Sequence, residues 1–127
     1  MALQKDNDLI LDLKNVNVRF NVEDGQLHIL RDVSLSVPRG SFLCVVGESG
    51  CGKSVTCQAL LGLIPCPPGK ITSGTAVLDG RDILKLQRRE LEEVRGRDLS
   101  MIFQDPLTSL NPTMTVGAQI AEVLLKH

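Results

Sequence analysis

Tryptophan and tyrosine are absent from this 127-residue chain, and phenylalanine occurs only at Phe20, Phe42 and Phe103. So few rings argue against a base-stacking platform of the single-strand-binding kind, leaving room for one stacking residue. There is no broad basic field either. The 14 Lys and Arg stand against 15 Asp and Glu, and a net charge of -1 gives no grounds for a nucleic-acid partner. No apolar run approaches the ~18 residues of a membrane-spanning helix. The acidic start, Met1 to Leu13, lacks the basic-then-apolar layout of a secretory leader, so a cytoplasmic location is expected. The cysteines, at 44, 51, 57 and 66, make no CxxC pair and hence no zinc or redox signature; reduced, mostly buried thiols are expected. Repeats and low-complexity tracts are also missing. What remains, 43% hydrophobic residues with balanced charge, is enough for one soluble domain.

Hydrophobic periodicity divides the chain. From Asp8 to Phe20 the apolar residues alternate, Leu9, Leu11 and Leu13 on one parity and Val16, Val18 and Phe20 on the other. Asp24-Gly25 is a turn signal before Leu27 to Val37, so two antiparallel strands are expected. After Pro38-Arg39-Gly40, the run Ser41 to Val46 reads as a strand buried on both faces of a parallel sheet. Helical spacing follows from Lys53 to Ile64, closed by Pro65. Thr75 to Leu78, Asp79-Gly80 and Arg81 to Ile83 read as a strand entering a tight turn. Leu84 to Arg95 reads as a helix with a solvated face carrying Arg88/Glu92 and Arg89/Glu93, and Leu99 to Phe103 as a second core strand. Val116 to Leu125 predicts a last helix that Thr115 caps. No Gly or Pro stop precedes His127, so the chain reads as ending inside a domain.

Between the first core-strand candidate and its helix lies Gly47-Glu48-Ser49-Gly50-Cys51-Gly52-Lys53-Ser54, which fits G-x-x-x-x-G-K-[ST] in the strand–loop–helix setting that this phosphate loop requires. A polyphosphate needs many donors without bulk. Backbone N–H groups of a glycine-rich curve and the unpaired donors of a helix start provide them. Lys53 adds a point charge for the β- and γ-phosphates, and the Ser54 hydroxyl suits the Mg²⁺ that bridges them. The expected ligand is a magnesium nucleoside triphosphate.

The order of these features, followed by Met101-Ile102-Phe103-Gln104-Asp105-Pro106, resembles the first half of an ATP-binding-cassette (ABC) nucleotide-binding domain. Gln104 matches the family's Q-loop glutamine. The stretch Pro106 to Pro112, and Val55 directly after the loop, are similar to ATPase subunits of the dipeptide, oligopeptide and nickel importers. The resemblance implies an α/β fold: a P-loop NTPase core with an N-terminal antiparallel β-subdomain, ending before the signature and Walker B motifs. It implies an antiparallel β region over about 8–37, a P-loop core over about 41–104, and the Q-loop with the start of a helical subdomain over 104–127.

The site it implies binds ATP through Gly47, Glu48, Ser49, Gly50, Cys51, Gly52, Lys53, Ser54 and Val55. Phe20 stacks on adenine where the family has Tyr or Trp, with His28 as a rival. Lys53 and Gln104 are the catalytic residues, and Ser54 and Gln104 hold Mg²⁺. The implied partners are two transmembrane permease subunits, a second ABC ATPase subunit (the same or a different chain) and, indirectly, an extracytoplasmic binding protein. Such an assembly works at the cytoplasmic face of the membrane. The alternative is a soluble ABC ATPase of DNA repair or translation. The signature stretch, the Walker B carboxylates and the switch histidine do not occur in these 127 residues, since Ala76-Val77-Leu78-Asp79 is followed by Gly80 and precedes Gln104. Binding of MgATP without hydrolysis is therefore expected of the chain as it stands.

Overall fold

The alternation over 8–37 becomes two long antiparallel strands, β1 (Leu9–Val22) and β2 (Gly25–Pro38), joined at Glu23-Asp24. The computed structural model describes residues 8–105 and 107–127; Met1 to Asn7, most of the acidic start, and Pro106, first residue of the importer-like stretch, lie outside the described residues. The chain divides after Leu86 into two compact units. In the first, β3 (Gly69–Leu78) pairs antiparallel with β1, and β4 (Arg81–Asp82) pairs with β3, giving the order β2-β1-β3-β4. The β3–β4 turn has Asp79 at φ 46° and Gly80 at φ 82°, the two positive angles a type I′ hairpin demands.

The change of parity along β1 has a structural cause. Leu13 and Val16 lie on opposite parities, yet each is only 1% exposed. Asn15, at φ 50°, forms a bulge between them, and the pairing with β2 shifts register at this point. The irregularity crosses the sheet, with Asp32 of β2 at φ 47° and Gly74 of β3 at φ 102°. Asn17, buried beside it, ties the three strands. The two N–H groups of its Nδ2 are shared among three acceptors, the Asn15 carbonyl (2.9 Å), Asp32 Oδ1 (2.9 Å) and Ser73 Oγ (3.0 Å). Its Oδ1 accepts from the Asp32 amide at 3.1 Å and lies 2.8 Å from His28 Nε2. All its polar atoms are thereby satisfied, as burial requires.

On the sheet surface the Ser36 hydroxyl donates to Asp12 Oδ1 at 2.6 Å and Lys14 Nζ lies 3.0 Å from Oδ2. The Ser36 hydrogen bond first, then Lys14, hold the Asp12 carboxyl below its ordinary pKa. A lowered folded-state pKa contributes stability above the unfolded value of about 4, lost as pH falls through the folded value. We expect wild type to lose no more than about 1 kcal/mol from this group in that acid window and Asp12→Asn to lose none of it, compared by urea melts at pH 6 and pH 3. Equal acid sensitivity of the two proteins would contradict the assignment.

Helix α1 (Lys53–Leu60) is shorter than its periodicity predicts. Gly62, at φ 61°, ends it: Gly62 N–H donates to the Ala59 carbonyl (3.1 Å) and Leu63 N–H to that of Gln58 (2.9 Å), a left-handed glycine cap reached before Pro65. The sheet strand that follows starts at Gly69, ahead of the expected Thr75. In the second unit, α2 (Arg88–Val94) opens with a capping box between Gln87 and Glu90. The rest of the expected 84–95 helix is a 3₁₀ turn, Ile83–Lys85, for which the Asp82 carboxylate accepts the Leu84 amide at 3.2 Å. Helix α3 (Val116–Lys126) starts where Thr115 Oγ1 accepts the Ala118 amide at 3.2 Å, as expected.

Three expectations are corrected. Residues 41–48 form no strand, and Phe42 is 97% exposed. Leu99–Phe103 forms none either: Leu99 makes an isolated bridge to Arg95, and Ile102 is 98% exposed. An apolar run favours burial, but extended backbone becomes a strand only when another segment takes up its N–H and C=O groups. Among the described residues no ladder includes these runs. The thiols are corrected with them: all four cysteines are free and exposed, Cys44 because it lies in the unpaired run.

Candidate functional site

The loop from Gly47 to Gly52 is fully outside regular structure and exposed up to Cys51. Its curvature rests on Gly50 at φ 81° and Gly52 at φ 95°, left-handed angles that a side chain would strain. A turn in which the Cys51 amide faces the Glu48 carbonyl (3.4 Å) carries Glu48 and Ser49 outward. Gly47 faces inward: a Cβ there would stand 2.7 Å from Cys51 Sγ and 3.8 Å from Lys53 Nζ.

Lys53 folds back into this curve. Its ammonium donates to the carbonyls of Gly47 and Glu48, both at 2.7 Å, and to Cys51 Sγ at 3.3 Å. A full positive charge is thus held inside the loop on three short contacts. Directly behind it α1 begins without a side-chain cap and without an acidic residue in its first turn. The first amides of a helix lack intrahelical acceptors and carry the positive end of its dipole. Glycine curve, ammonium and uncapped helix start all favour an anion, and phosphate oxygens match that donor set. Ser54 is exposed and Val55 half-buried at this helix start.

The end of the loop is anchored on the sheet. Gly52 is buried, and a Cβ on it would lie 2.8 Å from Leu30 Cδ2 and 3.6 Å from the Ile29 carbonyl. No motif marks Leu30. It lies on the parity of His28, Asp32, Ser34 and Ser36, so its place under the loop was invisible in the sequence.

Phe20 sits half-buried in β1, paired with Leu27 and Gly69. A Cβ on Gly69 would meet Phe20 Cε1 at 3.0 Å and Ile64 Cγ2 at 2.4 Å, so the ring edge and Ile64 crowd the same glycine. His28 is committed to Asn17 through Nε2. Gln104 belongs to the second unit, exposed and in a bend outside any strand. No helix among the described residues is long and apolar enough to cross a membrane.

The family profile for the ABC transporter matches residues 30–126. The oligopeptide transport ATP-binding protein OppD of Bacillus subtilis (strain 168) is 48% identical over 93% of this chain and 33% of its own length. The dipeptide transport ATP-binding protein DppD of the same organism is 45% identical over 93% of the chain and 35% of its length, and OppD of Escherichia coli (strain K12) 46% over 98% and 36%. The chain therefore spans about a third of the length of the curated relatives it matches. Among solved structures, the dimeric ABC transporter cassette MJ0796 superposes with a TM-score of 0.78 at 26% identity, covering 91% of this chain and 47% of that one. The same cassette in a post-hydrolysis state bound to ADP and Pi gives a TM-score of 0.75 at 25% identity over the same shares. The fold is that of the α/β P-loop cassette, and the chain belongs to the ABC transporter family.

Proposed function

We propose that this chain is the N-terminal part of the nucleotide-binding domain of a peptide importer's ATPase subunit, and that it binds MgATP at Gly47 to Val55. The observation that carries the reading is the Lys53 ammonium held inside the glycine curve at the uncapped start of α1. In this reading the loop amides and Lys53 hold the β- and γ-phosphates. The Ser54 hydroxyl and the Gln104 side chain are the ligands this chain offers Mg²⁺, which when bound neutralises phosphate charge. Phe20, half-buried in β1, is the adenine-stacking residue, since a Phe ring can stack on a base. Gln104 acts with Lys53 in turnover, binding Mg²⁺ or positioning the attacking water, and the loop after it senses the membrane subunits.

The antiparallel region 8–37, the P-loop core 41–104 and the Q-loop segment 104–127 are the proposed divisions. The whole protein is proposed to pair with a second ABC ATPase subunit on two transmembrane permease subunits, peripheral to the cytoplasmic face, with an extracytoplasmic protein delivering the cargo. The names of the relatives favour peptide over nickel as that cargo, and importer over a soluble ATPase of DNA repair or translation.

Calorimetric titration with MgATP tests the reading, together with a phosphate-release assay. We expect saturable, Mg²⁺-dependent binding by the 127-residue chain and no steady turnover, because Walker B carboxylates and a signature stretch are absent from these residues. Lack of binding, or turnover that disappears in Lys53→Ala, would refute it. A second expectation uses the exposed thiols. Cys51 Sγ lies 3.3 Å from Lys53 Nζ, so an occupant of the loop covers it, whereas Cys44, Cys57 and Cys66 lie outside the loop. Alkylation followed by mass spectrometry should show Cys51 slowed at least about fivefold by saturating MgATP and the other three unchanged. Uniform labelling with and without nucleotide would count against the site.

A further inference from the structure

We infer that Leu30 is a positioning residue for the phosphate loop: its side chain, held in the sheet core, sets where Gly52 and the first amides of α1 stand. This inference deepens the nucleotide-binding reading above and rests on it for its consequence. Leu30 is 2% exposed and opposite Val18, one of the most deeply buried residues of the sheet. Its Cδ2 occupies the space into which a Gly52 Cβ would project, 2.8 Å away, and the Ile29 carbonyl lies 3.6 Å from the same point. Gly52 therefore rests its bare Cα face on Leu30.

Two residues along β2, Asp32 takes its left-handed turn and is bonded by both its amide and its carboxylate to Asn17. His28, two residues before Leu30, is bound to the same Asn17. Leu30 thus sits between two points of β2 fastened to β1, so it has little freedom to follow the loop. The loop itself is exposed and lies outside any strand or helix. At its far end Gly52 rests on Leu30, and the first amides of α1, which join the loop amides as donors, begin one residue beyond. Loosening Leu30 moves those donors, although Leu30 touches no ligand.

The test compares Leu30→Ala with Leu13→Ala, the same truncation at a residue 1% exposed that faces Leu35 and Ala76 in the sheet. Leu30→Val and Leu13→Val provide milder versions should the alanine forms not fold. Hydrogen exchange is read at the amides of residues 52–55 without nucleotide, and MgATP affinity by calorimetry. We expect Leu30→Ala to speed exchange there about tenfold and to raise the MgATP Kd about threefold or more, with Leu13→Ala within about twofold of wild type in both. A rescue supplies a readout that general core damage does not produce. Gly52→Ala weakens binding, and adding Leu30→Ala to it should recover part of the loss, because the Cδ2 that the new methyl meets is gone. Equal effects of the Leu30 and Leu13 truncations on exchange, or a double variant whose losses simply multiply, would overturn the inference. Faster exchange specific to Leu30→Ala, with no MgATP binding by the wild-type chain, would instead retain Leu30 as the loop's support and refute the nucleotide reading.

Discussion

Titrating Lys53→Ala with MgATP is expected to give a Kd at least tenfold above that of the wild type, a loss of about 1.5 kcal/mol or more. The magnitude follows from what the ammonium does. It is the one cation inside the loop among the described residues, and its contacts with the Gly47 and Glu48 carbonyls place it within the curve. Contacts between an ammonium and a phosphate are charge-assisted and about twice as strong as neutral hydrogen bonds. Folding should hardly register the change. The two carbonyls released are on exposed residues and turn to water, so the melting free energy should move by no more than about 0.5 kcal/mol. The pairing of a large affinity loss with an unchanged melt distinguishes a ligand-binding lysine from one that merely closes its loop. Unchanged affinity would remove Lys53 from the site.

The largest stability effect is expected at Gly74. A Cβ there would stand 2.5 Å from Val16 Cα, 2.6 Å from the Asn15 carbonyl oxygen and 2.7 Å from the Val16 nitrogen, and the residue has φ 102°. All three obstacles are backbone atoms of β1, which cannot withdraw without breaking the β1–β3 register and the Asn17 knot beside it. Gly74→Ala should therefore cost about 3 kcal/mol or more, combining overpacking with a strained backbone angle. Gly80 is the control. It too has a positive φ, 82°, but a Cβ on it would meet nothing within 4 Å, so Gly80→Ala should cost only about 1 kcal/mol. Urea melts of the two variants check the ranking, and equal losses would show that close approach at Gly74 is not what excludes a side chain.

Much of this molecule is decided within a few residues of chain. The tight turn at Asp79-Gly80, the Thr115 cap of α3 and the start of α1 after the glycine loop all follow from local backbone chemistry. Local chemistry is written in adjacent letters, so these elements and the eight residues Gly47 to Ser54 were legible without coordinates. Gly62 was equally legible as a helix stop, and the more distant Pro65 drew the boundary too far.

Tertiary structure alone decided the rest, because it depends on which distant backbone arrives alongside. The runs 41–46 and 99–103 carry strand-like composition, but a β ladder is a property of two segments, and none among the described residues takes up theirs. The same reasoning covers the contact of Gly52 with Leu30, 22 positions earlier, and the approach of Gly74 to Val16 across the sheet. A glycine required by turn geometry announces itself in its neighbours, whereas one required by a close packing partner is explained only by the residue that the fold brings to it.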